Sequence, residues 1–130
     1  MSMDLAPFID TFHEESREGL DLVEAGLLQL EAGDPEAIHR IFRAVHSIKG
    51  GAATFGFTDI AEFTHGVETL LDRMREGRQA VDAELVALLL AASDCIRALL
   101  AAARDGDEPD AARVEAVRAR VASVLEAGTA

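Results

Sequence analysis

The stretch HSIKGGAATFGF, residues 46–57, contains the residues best suited to chemistry, namely His46, Lys49 and Gly50. A neutral imidazole is a good nucleophile near neutral pH because one ring nitrogen offers a lone pair. Lys49 follows His46 by three residues, which places both on neighbouring parts of one helix surface. Its ammonium could stabilise the negative charge of a phosphoryl group on the ring. The spacing is therefore compatible with a phosphoryl group on the ring of His46.

Two glycines follow inside the same helical pattern. Gly50 and Gly51 each cost roughly 1 kcal/mol relative to alanine within a helix, and such local conflict is expected at functional sites. Gly50 lies one turn after His46, so the surface beside the imidazole would lack a side chain. We therefore expect Gly50 and Gly51 to form an open surface on which a partner docks.

A second pair of polar residues, His65 and Glu68, occupies the next helical segment. If the two segments pack antiparallel, Glu68 could accept a hydrogen bond from one nitrogen of His46. That bond would fix the tautomer and leave the other nitrogen as the nucleophile. His13 and His39 are interpreted as solvated side chains without a role.

Five helical segments must position these residues. Apolar residues recur at three- and four-residue steps, and Val45 belongs to such a stripe, so His46 lies about 100° further round and flanks the core. Asp34 and Asp82 are expected to cap the second and fourth helices, and Leu5 and Phe8 to lie on the buried stripe of the first. The predicted helices span about 4–31, 35–55, 59–76, 83–104 and 109–126.

Short connections between such helices favour antiparallel neighbours. The sequence therefore predicts an all-α fold over one domain, residues 1–130: an up-and-down antiparallel four-helix bundle with an additional C-terminal fifth helix, Pro109 lying at its start. No region resembles a dimer seam, so we expect a monomer. Cys95 lies in an apolar run and is expected to be a core residue.

Charge and composition limit the partners. The chain has 12 basic and 24 acidic residues, a formal net charge of −12, which argues against nucleic acid and an anionic membrane surface. A partner with a basic rim would be steered toward it. The N-terminus lacks the basic residues of a signal peptide, and no apolar stretch reaches the about 18 residues of a membrane span. We expect a cytoplasmic location without membrane insertion.

Two alternatives remain open at this point. The chain could be a purely structural or interaction bundle whose histidine is inactive. It could also be a metal-binding bundle that uses His46, His65 and Glu68, although Lys49 beside them would oppose a cation, and bundle metal ligands usually include more carboxylates and point inward.

The sequence resembles a known family. HSIKGG followed by TFGF, together with FIDTF near the start, IFRAVH, FTHGVE and the EPD before the last helix, is similar to histidine phosphotransfer (HPt) domains. The form it resembles is the one at the N-terminus of chemotaxis histidine kinases of the CheA type. The resemblance covers essentially the whole chain.

The resemblance implies a fold and a set of roles. The family fold is a four-helix bundle, with an extra C-terminal helix in the chemotaxis type. His46 matches the phosphorylated histidine, Glu68 the carboxylate that orients its ring, Lys49 and Gly50 the residues that follow it, and His65 an auxiliary histidine. The phosphoryl group would come from ATP on a histidine kinase catalytic domain and pass to an aspartate of a response-regulator receiver domain.

No nucleotide site is apparent in the chain itself. It has no glycine-rich phosphate loop and no obvious carboxylate cluster for Mg²⁺, so ATP and Mg²⁺ would be supplied by the partner kinase and receiver domains. No cofactor or metal is expected in this chain, and whether it is an enzyme by itself stays open.

Overall fold

The computed structural model describes residues 4–128 and contains five helices within them. α1 packs against α2 and α4, α2 packs against α3, and α3 packs against α4, which gives an antiparallel bundle. α5 lies against α3 and α4. The predicted all-α bundle with a fifth C-terminal helix is therefore confirmed. The helices are α1 (Ala6–Glu31), α2 (Ala37–Thr54), α3 (Thr58–Arg75), α4 (Ala83–Asp105) and α5 (Ala111–Ala127).

The core consists of the apolar stripes that the spacing predicts for α2, α3 and α4, together with most of the stripe of α1. Leu20, Leu27, Ile41, Ile60 and Leu70 are fully buried among them. Cys95 is 1% exposed, and burial raises the pKa of its thiol, as expected for a core residue. The helices are thus held by apolar burial at about 25 cal/mol per Å² of surface removed from water.

Predictions for the first turns of α1 were wrong. Leu5 and Phe8 are 46% and 55% exposed. Phe12 lies against Gly51, and α2 ends at Thr54, so the start of α1 has little of α2 to pack against. The three- and four-residue spacing of apolar residues therefore continues into the first turns of α1, where α2 no longer lies alongside.

Two predicted helix starts also need correction. Asp34 does not cap α2: its side chain accepts a hydrogen bond from the Glu36 amide at 3.1 Å, which forms a turn before the helix begins at Ala37. Pro109 precedes α5, whose N-terminal cap is Asp110. The predicted cap of α4 is confirmed, because Asp82 accepts from the Leu85 amide at 2.8 Å.

The expectation that no apolar stretch reaches the length of a membrane span was wrong for α4. An 18-residue window within α4 has a mean hydropathy of 2.0, so the helix is long and apolar enough to cross a membrane. However, 61% of that window is buried inside the bundle. The helix packs against α1, α3 and α5. Such burial is typical of a core helix.

Candidate functional site

The helices α2 and α3 place the candidate residues face to face. The turn between them is tight: Gly56 has φ of 78°, a conformation that glycine adopts readily, and α3 begins two residues later at Thr58. The antiparallel pair brings His46 of α2 opposite Glu68 of α3. The side chain of His46 is 61% exposed, whereas that of Glu68 is only 13% exposed. The site is thus an exposed ring on a largely buried carboxylate.

One hydrogen bond defines the state of the ring. His46 Nδ1 lies 2.8 Å from Glu68 Oε2. An ionised carboxylate only accepts hydrogen bonds, so Nδ1 carries the proton and donates it. In the neutral ring the lone pair therefore lies on Nε2, which has no hydrogen-bond partner within residues 4–128. The arrangement presents a nucleophilic nitrogen to solvent.

Lys49 lies on the same carboxylate. Its Nζ donates to Glu68 Oε1 at 2.7 Å, so each oxygen of Glu68 binds a different side chain of α2. The sequence predicts that the ammonium of Lys49 lies beside a phosphoryl group on the ring of His46. Its pairing with Glu68 was not predicted. Burial of Glu68 favours its neutral acid, but the hydrogen bonds from Lys49 and His46 outweigh burial and hold its pKa below the ordinary 4.5.

This pKa shift predicts how the site responds to acid. A carboxyl group with a lowered folded-state pKa contributes stability above its ordinary pKa and loses it as pH falls through the folded value. The contact between His46 and Glu68 should therefore persist from neutral pH to the ordinary 4.5 and be lost only below it. The ¹³C shift of the Glu68 carboxyl, followed against pH, measures the midpoint.

The Lys49→Met variant provides the control for that titration. Without the ammonium, the titration midpoint of Glu68 should move upward, because one of the two hydrogen bonds that lower its pKa is lost. A midpoint at or above 4.5 in the unmodified protein would contradict the assignment.

A stack of side chains supports the ring of His46 from the preceding turn of α2. The rings of Phe42 and His46 are nearly parallel, 10° apart in orientation with centroids 6.0 Å apart. The guanidinium of Arg75 lies 4.0 Å above the Phe42 ring and pairs with Asp72 at 2.6 Å. This stack was not predicted from the sequence. The four-residue step from Phe42 to His46 was the signal that could have revealed it.

The two glycines of the motif have different surroundings. A Cβ at Gly50 would meet nothing within 4 Å, in agreement with an open surface beside His46. A Cβ at Gly51 would lie 2.5 Å from Cδ1 of the Phe12 ring. The prediction that Gly51 forms part of the open surface was therefore wrong: its missing side chain allows α1 and α2 to approach closely.

This contrast predicts opposite effects on stability. Gly50→Ala should stabilise the fold by about 0.5–1 kcal/mol, because alanine is the better helix former and the space is empty. Gly51→Ala should destabilise it by about 1 kcal/mol, since displacing the Phe12 ring costs more than the gain in helix propensity. Urea unfolding of both variants tests this, and equal shifts of the two midpoints would contradict it.

His65 lies on the same face of the bundle but does not join the hydrogen bonds around Glu68. It is exposed on α3 and lines an open depression with Lys49, Gly50 and Glu62. Within residues 4–128, no group of three or more His, Cys, Asp or Glu side chains is placed to hold a metal ion, so His46, His65 and Glu68 do not converge as the metal-binding alternative requires.

Comparison with known proteins relates this arrangement to a family. The sequence matches the Hpt domain family over residues 7–106. It is 45% identical over 117 residues to the chemotaxis protein CheA of Salmonella typhimurium, a match that covers 88% of this chain and 17% of that protein. The corresponding match to CheA of Rhizobium meliloti is 42% identical over 113 residues and covers 85% and 15%. The chain thus spans less than a fifth of these relatives.

Solved structures agree with the sequence matches. The solution structure of the histidine phosphotransfer domain of CheA superposes with a TM-score of 0.77 and 28% identity, covering 92% of each chain. The phosphorylated P1 domain of CheA3, solved in complex with CheY6 from R. sphaeroides, superposes with a TM-score of 0.74 and 28% identity, covering 89% of this chain and 96% of that one.

Proposed function

Because this chain belongs to the Hpt family and is homologous to the N-terminal phosphotransfer domain of CheA, we propose that His46 is its phosphorylated residue. We infer that His46 accepts a phosphoryl group from ATP on a kinase catalytic domain and passes it to an aspartate of a receiver domain. The observation that supports this most is the hydrogen bond from Nδ1 to Glu68, which leaves Nε2 exposed.

The first step is an in-line displacement at phosphorus. The Nε2 lone pair attacks the γ-phosphorus of ATP, an N–P bond forms, and the P–O bond to ADP breaks, so that ADP leaves with the bonding electrons. The ring keeps its Nδ1 proton and becomes positively charged. Glu68 stabilises that charge because its carboxylate accepts a hydrogen bond from Nδ1–H, with Nδ1 and Oε2 2.8 Å apart.

In the second step Nε2 is the leaving group instead of the nucleophile. A carboxylate oxygen of the receiver aspartate attacks phosphorus, the N–P bond breaks, and Nε2 recovers its lone pair. Lys49 uses one of the three N–H donors of its ammonium on Glu68. The remaining donors can contact the transferred phosphoryl oxygens, which is the role we propose for Lys49. His65, on the same exposed face, is proposed as an auxiliary residue that contacts the partner.

The partners must supply what this chain lacks. ATP and Mg²⁺ are held by the kinase and receiver domains in this proposal, and the chain acts as substrate and carrier. We propose that it works in the cytoplasm. Its net charge of −12 steers partners with a basic rim toward it and speeds their encounter.

The open space at Gly50 is proposed to let the partner's active site reach Nε2. The Gly50→Leu variant should fold normally, since nothing lies within 4 Å of the added Cβ. Its rate of phosphoryl transfer should fall by on the order of a hundredfold. The reason is that the leucine side chain would displace the partner's reacting atoms from Nε2, and a displacement of about 1 Å has an effect of that size. Label transfer from the phosphorylated variant to a receiver measures the rate.

Gly50→Ala is the matched control, because it removes the same glycine but adds only one carbon. It should transfer at nearly the normal rate. Normal transfer by Gly50→Leu would contradict the docking role of this surface, and an equal loss in both variants would assign the effect to backbone conformation instead.

A further inference from the structure

A groove of about 350 Å³ lies between α1 and α4. Because α1 packs against α2 and α4, and α3 packs against α2 and α4, this groove faces away from the α2–α3 surface that carries His46. Three of the chain's 12 basic residues line it, although the chain as a whole is strongly acidic. The lining residues are His13, Arg17, Arg97, Leu100, Ala101, Arg104 and Asp105.

The groove contains a buried imidazole that the proposed phosphoryl chemistry does not use. His13 is only 5% exposed, so the expectation that it is solvated was wrong. The rings of Phe12 and Phe57 pack around it, with centroids 5.5 and 5.8 Å away. Within residues 4–128, its ring nitrogens have no protein hydrogen-bond partner. Neither ring nitrogen is fully buried, so both remain open to solvent or to a ligand in the groove that His13 lines.

The charges around His13 favour an anion as that partner. Arg97 is already paired, with Asp21 at 2.6 Å and Glu24 at 3.0 Å. Arg17 and Arg104, by contrast, have no ion pair within the described residues. Their guanidinium groups are therefore available to a ligand.

The ring of His13 responds to these charges. Its pKa is lowered first by burial, then by the positive charges of Arg104 and Arg17, against the opposing carboxylates of Asp10 and Asp105. Arg17 and Arg104 are exposed. Two unpaired guanidinium groups close to an imidazole with no protein hydrogen-bond partner are what a bound oxyanion would neutralise.

We propose that the α1–α4 groove is a binding site for a small oxyanion, a phosphate or carboxylate group, held between Arg17 and Arg104 with the ring of His13 as a hydrogen-bond donor. The guanidinium groups bind the anion through paired N–H donors. The site is independent of phosphoryl transfer at His46, because it lies on the opposite side of the bundle.

Titration of the 130-residue chain with inorganic phosphate, and separately with succinate, tests this at neutral pH and constant ionic strength. The ¹⁵N signals of the His13 ring and of the Arg17 and Arg104 side chains should shift and saturate. The two anions distinguish a phosphate site from a carboxylate site. The His46→Gln variant should bind like the unmodified chain, so failure here is distinguishable from failure of the proposed function.

Arg104→Gln and Arg17→Gln should each weaken the binding by about tenfold, the effect of one charged hydrogen bond. Arg120→Gln on α5 removes the same charge away from the groove and is the matched control, with binding expected to remain normal. Shifts that never saturate with either anion, or an equal loss in Arg120→Gln, would overturn the proposal.

Discussion

The His46→Gln variant is expected to accept no phosphoryl group, while its fold and stability stay close to those of the unmodified protein. Glutamine has no nucleophilic nitrogen lone pair, so the N–P bond cannot form. The side chain is 61% exposed, so little packing is lost. The measurement is incorporation of labelled phosphate from ATP in the presence of a CheA-type kinase core.

His39→Gln is the control for this substitution. His39 is a second exposed histidine on α2, 48% exposed and near Glu36, and its loss should leave phosphorylation unchanged. Label retained by His46→Gln, or lost in His39→Gln, would place the chemistry on a different residue. If the unmodified chain folds normally but takes up no label, the interpretation as a structural bundle with an inactive histidine would be supported instead.

The Glu68→Ala variant is expected to be phosphorylated about tenfold to a hundredfold more slowly. Its carboxylate makes a charge-assisted hydrogen bond to Nδ1, and such bonds contribute about 1.5–3 kcal/mol, which corresponds to that range of rates. Loss of the bond frees both tautomers of His46 and removes the negative charge that stabilises the phosphorylated ring. Single-turnover labelling kinetics with the kinase core measure the effect.

Two further variants separate orientation from general loss of charge. Glu62→Ala removes a carboxylate from the same helix, on an exposed residue of the depression beside Gly50, and should phosphorylate at nearly the normal rate. Glu68→Gln keeps an oxygen acceptor but loses the charge, so its rate should fall between those of the unmodified chain and Glu68→Ala. Unchanged kinetics in Glu68→Ala would contradict the orienting role.

Much of the fold and the central contact could be predicted from residue spacing. Apolar positions at three- and four-residue steps gave five helices, and the position of Val45 in the core stripe placed His46 beside the core. An antiparallel arrangement of two consecutive helices then made the contact between His46 and Glu68 possible, and the structure contains it. These inferences depend on backbone periodicity, which the sequence encodes locally.

The remaining features depend on how far one helix extends along another and on which side-chain conformations bring residues of different helices into contact. The exposure of Phe8 follows from the end of α2, which no local pattern in α1 reveals. The role of Gly51 depends on the position of the Phe12 ring. The sequence also does not show whether the ammonium of Lys49 contacts a phosphoryl group or the carboxylate of Glu68, and in the structure it contacts Glu68. His13 was misassigned because its burial arises from α4 and from the turn after α2, both distant in sequence.

The most direct test of the carrier function is a pulse–chase measurement on the unmodified domain. The chain is labelled with a kinase core and ATP, separated from the nucleotide, and mixed with a receiver domain and Mg²⁺. Our account predicts acid-labile, base-stable label on the chain that moves to the receiver within the chase. Label that never forms with a competent kinase, or that stays on the chain in the presence of an active receiver, would contradict it.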